Sequence, residues 1–560
     1  MNSNLFRIAS SVYATLVAAS LTACAGAGTA TGGPAAGVPG GGAGSGASPS
    51  PAPGASASAG PSASPSAGAS AHPSPSASAS ASPSASPSPG TVDLTCDNAP
   101  YPSAQWTQCE ATNYAMTGEA TSEQANATFQ QRWSAQGTAN TNEWLARAQA
   151  DPSWLSPTSG NSAQTPLCAT WGSQCAGDPF RYADFTGPDG SAFYSGQAVV
   201  TPVVFYDDGC ARLSGRVWAP ANSASGNRLP NVVIQNGSIQ APETLYWWAA
   251  QMLVREGYVV MTFDPRGQGR SDEQTPSGQA GSNLNVVVFW TGLVNAIDFF
   301  RSTPSTPYPW NATCAGTYPT VVTNYNPYWD RIDRNRLGIA GHSAGAVGVS
   351  VVQGYGGAGA APWPGKIDAT NPVKVAVAWD GLRAPAGGNV GGIGSNPTTG
   401  ATVPSYVARV PAMGNSSEYG LTPMAFTSPP PPELHKVGYG AWVAAGVPVY
   451  ELTIRGSSHY EWSLLANFPT TSWCPNPSIG VCENGWGNPM AQHYTLAWFD
   501  RWLKQPGEAG YADADARLLD DNGAQGRVKM SFRFHSARNY PDRGGALHHC
   551  ENIRAGCTPP

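Results

Sequence analysis

Arg336-Leu-Gly-Ile-Ala-Gly341-His342-Ser343-Ala344-Gly345-Ala346-Val-Gly-Val-Ser-Val-Val352 is the stretch on which the fold turns. Arg336–Ala340 reads as a short buried strand, and the small apolar run from Ala346 as the start of a packed helix. Between them lies a G-x-S-x-G turn. A strand that reverses into a helix within so few residues strains the central residue and crowds its neighbours. Glycine at 341 and 345 relieves that crowding, and the Ser343 hydroxyl is left projecting above the sheet. In a chain this rich in Gly and Ser the five-letter string alone means little, so the flanking strand and helix carry the reading.

Outward from this turn, strands and helices alternate. Strand signals appear at Gly196–Tyr206, Ala211–Pro220, Asn231–Gln235, Tyr258–Phe263, Val373–Trp379 and Val449–Ile454, each bounded by Gly, Pro, Asp or Asn. Leu245, Trp248, Ala249, Met252 and Leu253 share a helix face closed by Gly257, and Val286, Phe289, Trp290, Leu293, Ile297 and Phe300 share another. Met490, Tyr494, Ala497, Trp498 and Trp502 mark a closing helix. Such alternation predicts an α/β fold with a mostly parallel sheet covered by helices on both faces.

A serine hydroxyl needs a base, and the base needs a carboxylate to orient it. His459, in Arg455-Gly-Ser-Ser-His-Tyr-Glu-Trp just beyond the strand ending at Ile454, stands where a strand-end base is required. His435 follows a tetraproline and His493 sits within a helix face, which suits structural roles. His72 belongs to the low-complexity region, and His535, His548 and His549 to the tail. In this chain order the acid falls between Ser343 and His459, where Asp380 ends one strand and Glu418 follows a weaker one at Val410–Ser417. Glu418 is the favoured acid, with Asp380 the alternative. Two backbone donors must face the developing oxyanion. The Ala344 amide is one, and the Ser238 amide, in the loop Gln235-Asn-Gly-Ser238, is the other.

Taken together, Gly341-His-Ser343-Ala-Gly345, Phe263-Asp264-Pro-Arg266-Gly267-Gln-Gly269-Arg-Ser271-Asp272 and Gly456-Ser-Ser-His459 resemble the α/β-hydrolase superfamily over roughly 195–505. The resemblance implies an α/β-hydrolase fold and ester or peptide hydrolysis through an acyl-enzyme on Ser343. Asp264 and Arg266 would then brace the elbow, and Asn236 stands where that family commonly has His. No cofactor or metal is expected: Gly267-Gln-Gly269 lacks the third glycine and trailing helix of a dinucleotide loop, and no Cys-x-x-Cys pair is present.

Residues 1–23 read as an export signal, with Arg7 before the apolar run from Val12, and Leu21-Thr-Ala-Cys24 resembles the bacterial lipobox. That likeness implies acylation of Cys24 and stable membrane anchoring, since several acyl chains are enough where one is marginal. Residues 24–90, almost wholly Ala, Gly, Ser and Pro, cannot bury a core and form a tether reaching about 45 Å as a flexible coil. Residues 91–190 read as an extension with one helix near 123–150, and 191–560 as the catalytic domain. Without Cys24, ten of the eleven cysteines remain, an even set in an exported chain. Spacing pairs Cys96–Cys109, Cys168–Cys175, Cys474–Cys482 and Cys550–Cys557, leaving Cys210–Cys314 as a long-range bridge.

With 29 basic against 35 acidic residues the chain has no electrostatic footprint of a nucleic-acid binder. The Gly-rich run after Ala384 is too poor in apolar residues for a helical cap, while the insert Ser302–Tyr328 is a candidate lid. The expected activity is hydrolysis of a carboxylic ester at the outer face of a bacterial membrane. A peptidase on the same fold, and an idle hydrolase fold that binds a partner at the surface, are the alternatives.

Overall fold

Runs of Val, Ile and Phe buried on both sides suit strands of a sheet sandwiched between helices, and the middle of the ten-stranded sheet among the described residues is built largely from such runs. The structure, a computed structural model, describes residues 94–119, 127–161, 192–238, 242–281, 285–385, 403–463 and 487–557. The export signal, Cys24, the tether, Cys168–Cys175, Cys474–Cys482 and most of the Gly-rich run after Ala384 lie outside the described residues.

The strands are β1 (Ala198–Tyr206), β2 (Arg212–Pro220), β3 (Leu229–Gln235), β4 (Val259–Asp264), β5 (Ile332–His342), β6 (Val373–Trp379), β7 (Ala412–Ser417), β8 (Val449–Ile454), β9 (Ala537–Pro541) and β10 (Leu547–Cys550). Their spatial order is β1-β2-β4-β3-β5-β6-β7-β8-β9-β10. Strands β3 to β8 run parallel, β2 is antiparallel to both neighbours, and β9–β10 is an antiparallel hairpin added at the far edge. This is the α/β-hydrolase arrangement expected from the sequence. The tail hairpin was not legible there, because its strands are short and their outward positions polar; Cys550–Cys557 staples its end.

Alternation along each strand divides the core between two faces. Val232 and Ile234 of β3 pack on the side of helices α3 (Trp247–Arg255) and α7 (Gly487–Leu503), with Trp218, Trp248, Trp379 and Trp498. Val233 faces the other side, with Leu293 and Phe299 of α4 (Val287–Arg301), Val349 of α5 (Ala344–Gly354) and Trp442 of α6 (Val437–Ala444).

The extension contributes two helices, α1 (Ala104–Glu119) and α2 (Ala127–Ala150). The second matches the helix read near 123–150. It is fastened to the sheet by Glu143 on Arg216, Asn140 Oδ1 accepting from Arg270, and Arg147 donating to Ser214. The first was unread, because its buried face mixes Trp106, Cys109 and Met116 with Glu110 and Asn113, which breaks an apolar period. Cys96–Cys109 staples its start.

The insert Ser302–Tyr328 braces the sheet edge and so corrects the expectation of a lid. Cys314 is bonded to Cys210, the Thr323 amide donates to the Val204 carbonyl at 2.7 Å, and the Tyr308 hydroxyl donates to the Tyr206 carbonyl at 2.9 Å. These ties hold it along β1.

Candidate active site

At the end of β5 the chain turns into α5 through Ser343, whose φ of 59° and ψ of −120° lie in the left-handed half of the map that L-residues avoid. The turn closes only because its neighbours are glycines. A Cβ on Gly345 would lie 2.4 Å from the Asn236 carbonyl oxygen and 2.7 Å from that of Gln235; one on Gly341 would lie 2.5 Å from the Gly345 carbonyl oxygen. The Ser343 amide donates to the Trp379 carbonyl at 3.0 Å, which ties the elbow to the residue preceding Asp380.

Asp380 itself, at the end of β6, also has a positive φ, 60°. One carboxylate oxygen accepts from the Ser417 amide at 2.8 Å and the Ser417 hydroxyl at 2.9 Å. The other makes a close hydrogen bond with His459 Nδ1. Burial alone would raise this carboxyl, but the His459 imidazole and the Ser417 amide outweigh it and hold it well below the usual range. With Asp380 on Nδ1, the imidazole keeps its Nε2 available to take a proton.

Glu418 is therefore not the carboxylate on the imidazole, and the favoured assignment gives way to its alternative. Successive residues at a strand end face opposite ways: Ser417 turns toward Asp380, and Glu418 turns away from it. Its carboxylate accepts from Asn113 Nδ2 and the Gly456 amide, both at 2.6 Å, and from the Ser531 hydroxyl at 2.5 Å. Burial raises its pKa despite these donors.

His342, the variable residue of the elbow motif, was given no role by sequence reasoning and joins three parts of the site. Tyr246 Oη accepts from the Gly237 amide at 3.0 Å and lies 2.9 Å from His342 Nδ1; His342 Nε2 lies 2.8 Å from the His459 carbonyl. A carbonyl only accepts, so Nε2 carries the proton, Nδ1 accepts, and the Tyr246 hydroxyl donates to it. Burial and the neighbouring His459 push the His342 imidazole down to about 3, so the chain of bonds is neutral at ordinary pH. The rings of His342 and His459 lie 4.5 Å apart.

The loop after β3 is held by the motif read as structural. Asn236 Nδ2 donates to Asp264 at 3.0 Å, and the amides of Glu243 and Arg270 donate to the same carboxylate at 2.6 and 2.9 Å. Burial and the nearby Glu243 push Asp264 up to about 7. Arg266 pairs with Asp207 at 2.7 Å. Asn236 thus reaches the strand-turn motif from the position where His was expected. Gly237 packs so close that a Cβ there would lie 3.2 Å from the His342 carbonyl oxygen, which sets the half-buried Ser238 beside the elbow that carries Ala344.

His342, Asp380 and His459 also form a cluster whose ligand-type atoms lie within 4.8 Å of one another. The donor set does not fit a metal: both His342 nitrogens are engaged, and Asp380 and the Nδ1 of His459 are spent on each other, which leaves the Nε2 of His459 as a single open nitrogen. The two competing histidines between the elbow and the tail are held elsewhere. His435 stacks on Phe534 at 3.9 Å, and His493 Nε2 meets the Arg517 carbonyl at 3.2 Å.

No family model and no curated protein matches this sequence. Among solved structures, the acylaminoacyl peptidase of Pyrococcus horikoshii is 15% identical, with a TM-score of 0.35, over 60% of this chain and 46% of its own. An acylaminoacyl peptidase in complex with Z-Gly-Gly-Phe-chloromethyl ketone is 16% identical, with a TM-score of 0.35 and the same coverage. Esterase 2 of Thermogutta terrifontis, phosphoramylated by tabun, is 13% identical with a TM-score of 0.32, over 46% of this chain and 84% of its own. The chain spans under half the length of the two peptidases. At these scores the assignment of fold rests on the strand order and the elbow.

Proposed function

We propose that the protein is an exported serine hydrolase that cleaves carboxylic esters through an acyl-enzyme on Ser343. The observation that carries this reading is the strained Ser343 on an elbow whose own His342 ring lies 4.5 Å from His459, with His459 paired to Asp380. Ser343 Oγ attacks the ester carbonyl carbon while His459 Nε2 takes the hydroxyl proton. Asp380 holds the imidazole in the tautomer that can accept it and stabilises the imidazolium. The amides of Ala344 and Ser238 receive the oxyanion. Collapse breaks the carbon–oxygen bond, His459 returns the proton to the leaving alcohol, and water then frees the acid by the same steps.

Leu21-Thr-Ala-Cys24 and the low-complexity run to residue 90 support export with a lipid anchor on Cys24, and hence a membrane-held enzyme facing outward. The test compares hydrolysis of a p-nitrophenyl acyl ester with that of the matching p-nitroanilide by wild type and Ser343→Ala. Ester turnover that vanishes in the variant is expected. Faster anilide cleavage would instead indicate a peptidase, and a folded protein that turns over neither would indicate a surface binding protein.

A further inference from the structure

The residue first favoured as the acid is wholly buried and carries three donors, yet it does not touch the imidazole. Its position shows what it holds. The segment 417–420 lies between the two halves of the site: the Ser417 amide and hydroxyl donate to Asp380, while the Glu418 amide donates to Ser457 Oγ at 3.1 Å. The Tyr419 amide donates to the Ser457 carbonyl at 3.0 Å, and the His459 amide to the Gly420 carbonyl at 2.9 Å. Moving this segment would therefore move the acid and the base together.

Helix α1 presses on that segment and on the turn that follows β8. Asn113, fully buried, donates from Nδ2 to Glu418 at 2.6 Å and to the Tyr419 hydroxyl at 2.9 Å, and its Oδ1 accepts from Arg455 Nε at 2.8 Å. Gly456 has a φ of +63°, and a Cβ there would meet Met116 Cβ at 2.7 Å. Glu110 accepts from the Tyr419 hydroxyl and the Phe426 amide at 3.0 and 2.8 Å and pairs with Arg533. Burying Glu110 and Asn113 on a helix that could have presented an apolar face costs free energy unless each bond is made, and the bonds are made across to this segment, the turn, the Phe426 amide and Arg533.

We infer that α1, stapled by Cys96–Cys109, is a positioning element for the catalytic base, acting through Asn113 on Glu418 and on the His459 turn. This inference rests on the proposed hydrolase reading. Displacements near 1 Å at a reacting centre can cost on the order of 100-fold in rate, so a loosened turn lowers kcat while substrate binding is kept.

The test is Asn113→Asp in the full chain. The new carboxylate still accepts from Arg455 but meets Glu418 where a donor stood, so the two must share a proton. The charged groups around them are Arg455, with Arg554 and Asp97 behind it, and the Glu110–Arg533 pair, with the Tyr419 phenol between. The expected result is an unchanged melting temperature at pH 6. At pH 8 kcat for the p-nitrophenyl ester falls roughly 10- to 100-fold with KM unchanged, and the variant-to-wild-type ratio recovers as the pH is lowered toward 6. Met116→Ala, which only empties the contact on Gly456, keeps the inference testable if the first variant does not fold, and lowers kcat a few-fold at unchanged KM. A ratio of one, a loss equal at every pH, or Met116→Ala indistinguishable from wild type overturns the inference. Wild type that a fluorophosphonate does not label overturns the hydrolase reading instead.

Discussion

Asp380→Asn separates the two carboxylates most sharply. One oxygen of Asp380 accepts from the Ser417 amide and hydroxyl at 2.8 and 2.9 Å, and the backbone amide can only donate. An asparagine at this position therefore places its carbonyl on Ser417 and its NH₂ on His459 Nδ1. Nδ1 then becomes the acceptor, Nε2 carries the proton, and the imidazole can no longer take one from Ser343. A reversal of this kind costs about 10⁴-fold in kcat, or ~5.5 kcal/mol of transition-state stabilisation, with the fold preserved. The assay is kcat/KM for a p-nitrophenyl ester at pH 8, with active sites counted by fluorophosphonate burst and folding checked by circular dichroism. Glu418→Gln, measured beside it, is expected to lose no more than about 100-fold, since it acts only through position. An Asp380→Asn enzyme within tenfold of wild type, or a larger loss in Glu418→Gln, would refute the assignment.

Other consequences follow from the same geometry. Gly345→Ala places a Cβ against two carbonyl oxygens that cannot retreat, so a protein that no longer reacts with fluorophosphonate is expected, and one labelled at the wild-type rate would show that the elbow is looser than described. Burial pushes Glu451 up to about 8, well above its ordinary value of 4.5, with one oxygen on the Ser416 hydroxyl. Between those two values the folded state binds the extra proton, so stability falls as pH rises, by no more than ~5 kcal/mol in all. Glu451→Gln should therefore raise the melting temperature more at pH 8 than at pH 5 in thermal scans, and an equal shift at both would contradict this. The Cys210–Cys314 bridge closes a separation of 104 residues, so a Cys210→Ala/Cys314→Ala protein should lose up to ~4.7 kcal/mol by urea denaturation, as the chain-entropy estimate for such a loop gives.

Strands β1 to β6 and β8 and helices α3, α4 and α7 were legible because they obey one rule each: strands carrying runs of branched and aromatic apolar residues, and helices with one unbroken apolar face; β7, Ala-Met-Gly-Asn-Ser-Ser, gave only a weak signal. The elbow was legible because its glycines are forced by contacts with Gln235, Asn236 and Gly345 that any strand-to-helix turn of this type makes. What failed did so where side-chain direction or polar packing decides. Asp380 and Glu418 are equivalent as strand-end acids in a sequence, and only the alternation at the end of β7, which turns Ser417 one way and Glu418 the other, separates them. Helix α1 went unread because the residues that fasten it to Tyr419, Phe426, Arg533 and the His459 turn, Glu110 and Asn113, occupy positions where a periodic reading requires apolar ones. His342 was passed over because its bonds to Tyr246 and the His459 carbonyl span separations of 96 and 117 residues, which no local pattern reveals.

The central claim is that Ser343 is a hydroxyl activated by the His459–Asp380 pair. Incubating the protein with a fluorophosphonate and locating the adduct by peptide mass spectrometry tests it most directly. The account predicts a single adduct on Ser343, formed rapidly in wild type and slowed by orders of magnitude in His459→Ala. Folded protein that stays unmodified, or an adduct at another residue, would contradict it.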